Sequence, residues 1–329
     1  MLAILLGVAL LTTLEQSGTA PATGSIAGQV REAGSHSPIA DARVSISGPG
    51  VHEATTADSA GQFRFASLAP GRYRIDVDKE TYAFDFVGAP SIAVNARTTT
   101  SVTVEMQRAG VIVGEVRDDR GSPRGGVPVT AIRKISGGTQ SVPRPQQTTN
   151  DLGEFRVDGL VAGEYIVLAS PPTPRVNSAA LMPTYYPATT DRNAASTVDV
   201  SSGGTANVAI TMVSAPAYEI TGVVVDEQGG PLAGVAVSFV FQSIQTEAPR
   251  EGSLQVRAER LLTRADGTFR VAGLGPGTYR LTPTPAPLPG MRSELELVTT
   301  AVNGNSSTVG VDVRDADVAG VRIVMRTQR

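Results

Sequence analysis

The chain has 329 residues, 41% of them hydrophobic, with 28 Lys and Arg against 31 Asp and Glu for a net charge of −3. The basic residues are scattered, so the concentrated cationic footprint of a nucleic-acid binder is missing. There is no cysteine, which excludes disulfides and thiolate metal sites.

In chain order, the first element is an apolar run, Leu2 to Leu14, broken only by Gly7 and two threonines. It is too short to span a bilayer comfortably. Small residues follow, and Ala20-Pro21-Ala22 has an A-x-A cleavage pattern. No Lys or Arg precedes the run, so the basic leading segment of an export signal is missing. Residues 1–22 read as a signal peptide. The mature chain is then expected outside the cytoplasm, whether periplasmic, outer-membrane-associated or extracellular, with no membrane span.

Beyond residue 23 the chain says the same thing three times. Alternating apolar strands open each repeat at Ile26–Val30, Ile112–Val116 and Ile220–Val224. Gly/Pro turns follow, then second strands at Ala42–Ile46, Val127–Ala131 and Val235–Phe239. Next comes a shared motif, running from Asp58 to Tyr73, from Asp151 to Tyr165 and from Asp266 to Tyr279. Each repeat closes on a strand ending in Met106, Met212 or Met325. A period of this kind defines the architecture, and no segment carries a helical period of ten residues. The expected divisions are 24–107, 108–214 and 216–326.

The motif reads as turn, core and corner. Asp58, Asp151 and Asp266 are expected to bond backbone in hairpin turns beside Gly61, Gly153 and Gly267. Phe63, Phe155 and Phe269 alternate with exposed arginines and so face inward, as do Leu68, Leu160 and Leu274. Tyr73, Tyr165 and Tyr279 are expected as half-buried rings whose hydroxyls bond backbone across a corner, as in immunoglobulin-type sandwiches. Gly-x-Val-x-Asp followed by Pro-x-x-Gly-x-x-Val, then Asp-Gly-x-Phe-x-Val-x-Gly-Leu-x-Pro-Gly-x-Tyr, resembles the carboxypeptidase regulatory-like domain. Repeat three carries it best, through Gly222, Asp226, Pro231, Gly234, Val237 and Asp266 to Tyr279. Ala60 and Ala162 are mild departures in repeats one and two. The resemblance implies an all-β fold of three tandem, seven-stranded Greek-key sandwiches of transthyretin-like type. It also implies an accessory, non-catalytic role on peptidases, outer-membrane receptors or adhesins, in a fold often grouped with carbohydrate-binding sandwiches.

The repeats differ in three insertions, and on such scaffolds function sits in variable loops. Ile132–Thr149 and Val240–Thr263 occupy equivalent places before the turn. The second is charged over Glu247–Arg260 and supplies Arg250 and Arg257 as candidate partner contacts. The third, Pro171–Asp199, contains Pro183-Thr-Tyr-Tyr-Pro187, in which Tyr185 and Tyr186 are candidates for a rigid platform under a sugar ring or peptide; the alternative is that the loop folds back over a sandwich edge. At the corresponding place in repeat one, Tyr82, Phe84 and Phe86 read as a strand with its rings inward.

Catalytic signatures are missing. The two histidines, His36 and His52, have no nucleophile or acid constellation around them in sequence, and no H-E-x-x-H, G-x-S-x-G or phosphate-loop pattern occurs. The Asp turns offer too few carboxylates for calcium. A Lys–Asn crosslink is excluded in repeat three, since the only lysines are Lys79 and Lys134. No catalytic residue, metal or cofactor is expected. The reading is an exported rod of three sandwiches serving protein interaction, adhesion or spacing at the envelope, with an envelope protein or polysaccharide as partner; a carbohydrate-binding module is the alternative.

Overall fold

The computed structural model describes residues 22–85, 91–135, 138–141, 147–171, 179–242, 259–284, 295–297 and 308–327. Their regular structure is strand, apart from one 3-10 turn at Arg192–Ala194. By internal contacts the chain divides after Gln107 into two compact units.

The first unit holds repeat one. Its strands are β1 (Gly24–Glu32), β2 (Arg43–Gly48), β3 (Val51–Thr56), β4 (Gln62–Leu68), β5 (Gly71–Asp78), β6 (Tyr82–Phe84), β7 (Ile92–Val94) and β8 (Thr99–Arg108). They form two sheets, in the orders β4-β1-β8-β6 and β3-β2-β5-β7. One core lies between them, built of Ile26, Val30, Phe63, Phe65 and Met106 from the first sheet and Val44, Ile46, Tyr73, Ile75 and Val77 from the second.

The second unit holds repeats two and three. Repeat two contributes β9 (Gly110–Arg117), β10 (Pro128–Ile135), β11 (Gly138–Ser141), β12 (Gln147–Thr148), β13 (Glu154–Leu160) and β14 (Gly163–Ala169). It continues with β15 (Ala179–Leu181), β16 (Thr184–Tyr185), β17 (Val198–Val200), β18 (Thr205–Thr211) and β19 (Ser214–Pro216). One sheet runs β13-β9-β18; the other runs β11-β10-β14-β16, with β12 on β10 and β17 on β14. Repeat three contributes β20 (Tyr218–Asp226), β21 (Ala236–Gln242), β22 (Glu259–Leu262) and β23 (Thr268–Leu274). Its remaining strands are β24 (Gly277–Thr284), β25 (Leu295–Leu297), β26 (Val309–Val313) and β27 (Val318–Thr327). They pair as β23-β20-β27-β25 and β22-β21-β24-β26. Each repeat has its own hydrophobic core.

Among the described residues, repeats one and three carry four strands per sheet, eight where seven were expected. Several edge pieces, such as β7 and β25, are only three residues long and too short to show a period in sequence. A second departure is that the first and last strands of every repeat pair in parallel, β1 with β8, β9 with β18 and β20 with β27. A parallel pair needs a long crossover, and here the rest of the repeat supplies it. The closing strand therefore lies beside the first, inside the sheet in repeats one and three and at its edge in repeat two, and Met106, Met212 and Met325 are all buried.

The motif residues are architectural. Phe63, Phe155 and Phe269 are buried, as are Leu68, Leu160 and Leu274. The three corner hydroxyls donate to the carbonyl four residues back: Tyr73 to Ala69 at 2.9 Å, Tyr165 to Val161 at 2.6 Å and Tyr279 to Gly275 at 2.8 Å. Burial pushes the Tyr279 phenol well above the usual tyrosine range.

The turn that opens the motif needs one correction. Asp58 Oδ1 accepts from the Ala60 and Gln62 amides at 2.9 and 2.8 Å. In repeat two the residue in this role is Asn150, accepting from Leu152 and Glu154 at 3.0 and 2.9 Å; Asp151 lies one position later and is exposed. In repeat three Arg264 takes the place, and Asp266 instead accepts from the Thr268 hydroxyl and amide at 2.6 and 3.0 Å. Those bonds hold the Asp266 carboxyl below its usual range. The spacing to glycine is what is kept. Gly61, Gly153 and Gly267 have φ of 71°, 77° and 73°, and a Cβ there would lie 2.4, 2.4 and 2.6 Å from the carbonyl oxygens of Val30, Val116 and Val224.

Candidate functional site

The long insertion of repeat two folds back on its own sandwich. The reason lies in β14. Residues Tyr165 to Ala169 are all buried, where a half-solvated strand would alternate. Tyr165, Val167 and Ala169 join the main core. Ile166 and Leu168 face the other way and, with Ile132 on β10, form an apolar patch on the outer side of the sheet. The matching cross-strand pairs are polar in repeat one, Ser45 with Asp76 and Ser47 with Arg74, and partly polar in repeat three, Ser238 with Thr282 and Val240 with Arg280. Among the described residues, repeat two alone closes such an outer patch with a residue of its own insertion.

Tyr185 covers it. β16 adds to the edge of β14 with Tyr185 opposite Leu168 and Thr184 opposite Ala169. The Tyr185 ring is 7% exposed and packs with Ile132, Ile166 and Leu168, closed off by Ala195. Burial raises its phenol pKa, with smaller opposing contributions from Arg192 and Asp191. Tyr186 turns to the opposite side and packs half-buried against the main core. The backbone is tied down by Tyr186 N–H to Val167 O at 2.9 Å and Ser196 N–H to Tyr186 O at 2.9 Å. Thr184, fully buried, accepts from Val213 N–H at 3.0 Å and donates to Met182 O at 2.8 Å. The adjacent tyrosines are therefore split between two faces of one sheet, in the folded-back arrangement that was the alternative to an open platform. The run of five apolar residues in β14 was the signal in the sequence that a cover was needed.

The other candidates fall elsewhere. Arg250 and Arg257 lie outside the described residues, as does Phe86. Tyr82 and Phe84 pack partly buried against the core of repeat one. His36 lies 3.7 Å from a Glu105 carboxylate oxygen, with its side chain 60% exposed, and His52 is exposed on β3. Among the described residues, no group of three or more His, Asp or Glu is placed to hold a metal ion, and no helix is long and apolar enough to cross a membrane. A shallow depression of about 410 Å³ on β9, β13 and β18 is lined by Gly114, Glu115, Glu154, Asn207, Val208 and Ala209. Its two carboxylates are already engaged. Arg117 grips Glu115 at 2.9 and 2.7 Å and holds its pKa down, and Asn150 donates to Glu154 at 2.9 Å.

Comparison with known proteins bears on the first repeat. The model of the carboxypeptidase regulatory-like domain matches residues 25–107, which is repeat one. Among solved structures, the chain is similar to a streptococcal ancillary pilin at 12% identity and a TM-score of 0.30, covering 93% of this chain and 99% of that one. It is also similar to GBS52, the minor pilin of Streptococcus agalactiae, at 17% identity and a TM-score of 0.31, covering 67% and 96%. The Bacillus anthracis TIE protein matches at 14% identity and a TM-score of 0.26 over 93% of this chain, which spans about half (51%) of that one. Similarity at this level carries no argument about activity. No curated protein matches the sequence.

Proposed function

We propose that the chain is an exported, non-catalytic β-sandwich module that serves protein interaction, adhesion or structural spacing at the cell envelope, after removal of residues 1–22. The observation that supports this reading is the use made of the repeated motif. In all three copies the tyrosine hydroxyl is held by a backbone carbonyl of its own corner, and the phenylalanine and leucine fill the core. What repeats is scaffold. A sugar-stacking role would need a presented ring, and Tyr185 is packed away. By sequence the readiest contact segment is Val240–Thr263, with Arg250 and Arg257 facing an envelope protein or an acidic polysaccharide.

The test is fractionation of expressing cells with N-terminal sequencing, followed by crosslinking in envelope extracts. Mature chain beginning near residue 23 in an envelope or extracellular fraction is the expected result. It should carry a crosslink to one partner that Arg250→Glu with Arg257→Glu abolishes. Full-length chain starting at Met1 in the cytoplasm would sink the proposal.

A further inference from the structure

The same insertion that covers repeat two also reaches repeat three. β15 pairs antiparallel with β19, the segment that links the two repeats: Ala179 opposite Pro216, Ala180 opposite Ala215 and Leu181 opposite Ser214. Met182 N–H extends the ladder to Val213 O at 2.8 Å, and Thr211 N–H donates to Pro187 O at 3.0 Å. The connection expected to be a plain boundary near residue 215 is thus one strand of a two-stranded ribbon.

Beyond the ribbon, Ala180 and Met182, both 6% exposed, sit on the β23–β24 turn of repeat three. There they meet Gly275. A Cβ at Gly275 would lie 2.0 Å from Met182 Sδ and 3.6 Å from Ala180 Cβ. The corner bonds make Gly275 the counterpart of Ala69 and Val161, since each is the residue whose carbonyl receives the tyrosine hydroxyl. Ala69 is exposed in repeat one, whereas Gly275 is buried. A side chain at this place is compatible with the repeat fold, as two of three copies show. At Gly275 a side chain would meet Met182 of repeat two, which would have to leave its place to admit it.

We propose that residues 179–187 are a strap that makes repeats two and three a single cooperative body, with Gly275 as the seat for Met182. Tyr185 and Thr184 anchor one end of the strap in the apolar outer face and core of repeat two, and Met182 engages repeat three at the other. A flexible linker would leave neighbouring sandwiches to open independently; a paired linker strand with a buried seat couples their opening.

Calorimetry and amide hydrogen exchange on the full chain test this. Wild-type protein should show two unfolding transitions, one for repeat one and one shared by repeats two and three. Gly275→Val puts a residue that repeat two itself uses at this corner into the seat. It should split the shared transition in two and raise exchange in the β15–β19 ladder about tenfold or more, equivalent to ~1.4 kcal/mol of coupling. Adding Met182→Ala removes the clashing side chain and should draw the two transitions back together. Separate transitions for repeats two and three in wild-type protein would overturn the proposal. So would a shared transition untouched by Gly275→Val. A Gly275→Val defect that Met182→Ala leaves unchanged would place the fault inside repeat three and equally refute it.

Discussion

Removing the three corner hydroxyls one at a time gives an internally replicated measurement. Tyr→Phe keeps the ring, which fills the core, and deletes only the donor to the carbonyl four residues back. The lost bonds are 2.9 Å in repeat one, where the pair is partly buried, and 2.6 and 2.8 Å in repeats two and three, where it is buried. A buried carbonyl left without its donor costs ~1–3 kcal/mol, and one that water can reach costs toward the lower end. Tyr73→Phe should therefore cost ~1 kcal/mol, and Tyr165→Phe and Tyr279→Phe ~2 kcal/mol each.

Those energies convert differently into melting temperature. Repeat one forms a compact unit of its own, and for a unit under about 100 residues 1 kcal/mol moves Tm by ~4–8 °C. A body of about 200 residues moves only ~2–4 °C per kcal/mol. All three variants should accordingly shift a transition by ~4–8 °C. Tyr73→Phe should move the transition of repeat one, and the other two should move the same, second transition. Calorimetry of the three single variants reads this directly. Shifts below about 1 °C in all three would mean that water satisfies the freed carbonyls and that the corner bond is not a stabilising feature. A Tyr73→Phe effect larger than the other two would refute the burial argument.

Three further outcomes follow from single contacts. Thr263 Oγ1 donates to Leu232 O at 2.6 Å and accepts from Val235 N–H at 2.9 Å, and Thr149 makes the same pair of bonds in repeat two; Thr263→Ala should cost ~1–3 kcal/mol in chemical denaturation, and no loss would show the bonds to be redundant. Ser67 stands at φ 57°, where repeats two and three place Gly159 and Gly273 at 70° and 77°; Ser67→Gly should stabilise repeat one by up to ~1 kcal/mol by relieving left-handed backbone, and destabilisation would refute the strain. Tyr279 and Tyr185 are held protonated by burial. Their contribution is fully present below the unfolded tyrosine value near pH 10 and is lost as pH rises toward the higher folded values, by ~1.4 kcal/mol per pH unit for each ring. The second unit should weaken above about pH 10, Tyr279→Phe should reduce that slope, and a flat stability profile through pH 11 would contradict the burial.

The sequence was legible where one residue type serves one geometry in every copy. Phe63, Tyr73 and their counterparts sit where alternation and the corner motif put them. The Asp turn was misread because two side chains can cap the same turn from different positions. Asp58 and Asn150 do so from its first residue and Asp266 from inside it, so matching the aspartates shifted the register that the glycines would have kept. The parallel pairing of first and last strands was invisible because alternation reports which face is buried and not which strand lies alongside. For Tyr185 the sequence left a rigid platform and a folded-back loop both open. Two prolines around two tyrosines suggest a stiff exposed loop until β14 is weighed with it, and the informative residues, Ile166 and Leu168, are about twenty positions upstream.

The three copies act as a control on one another, and that bears on where a partner contact belongs. An insertion has work to do inside the fold when the sheet beneath it is apolar on its outer side. Repeat two meets that condition through Ile132, Ile166 and Leu168, and its insertion is consumed in covering them and in seating Met182 on Gly275. Repeat one does not meet it: Ser45, Ser47, Arg74 and Asp76 leave a polar outer face with nothing to cover. Repeat three lies between, with Ser238, Thr282 and Arg280 beside Val240. On the outer face of repeat three Leu262, 62% exposed, stands opposite Ala236, so the test that separates repeat two from repeat one leaves Val240–Thr263 a contact segment on sequence alone.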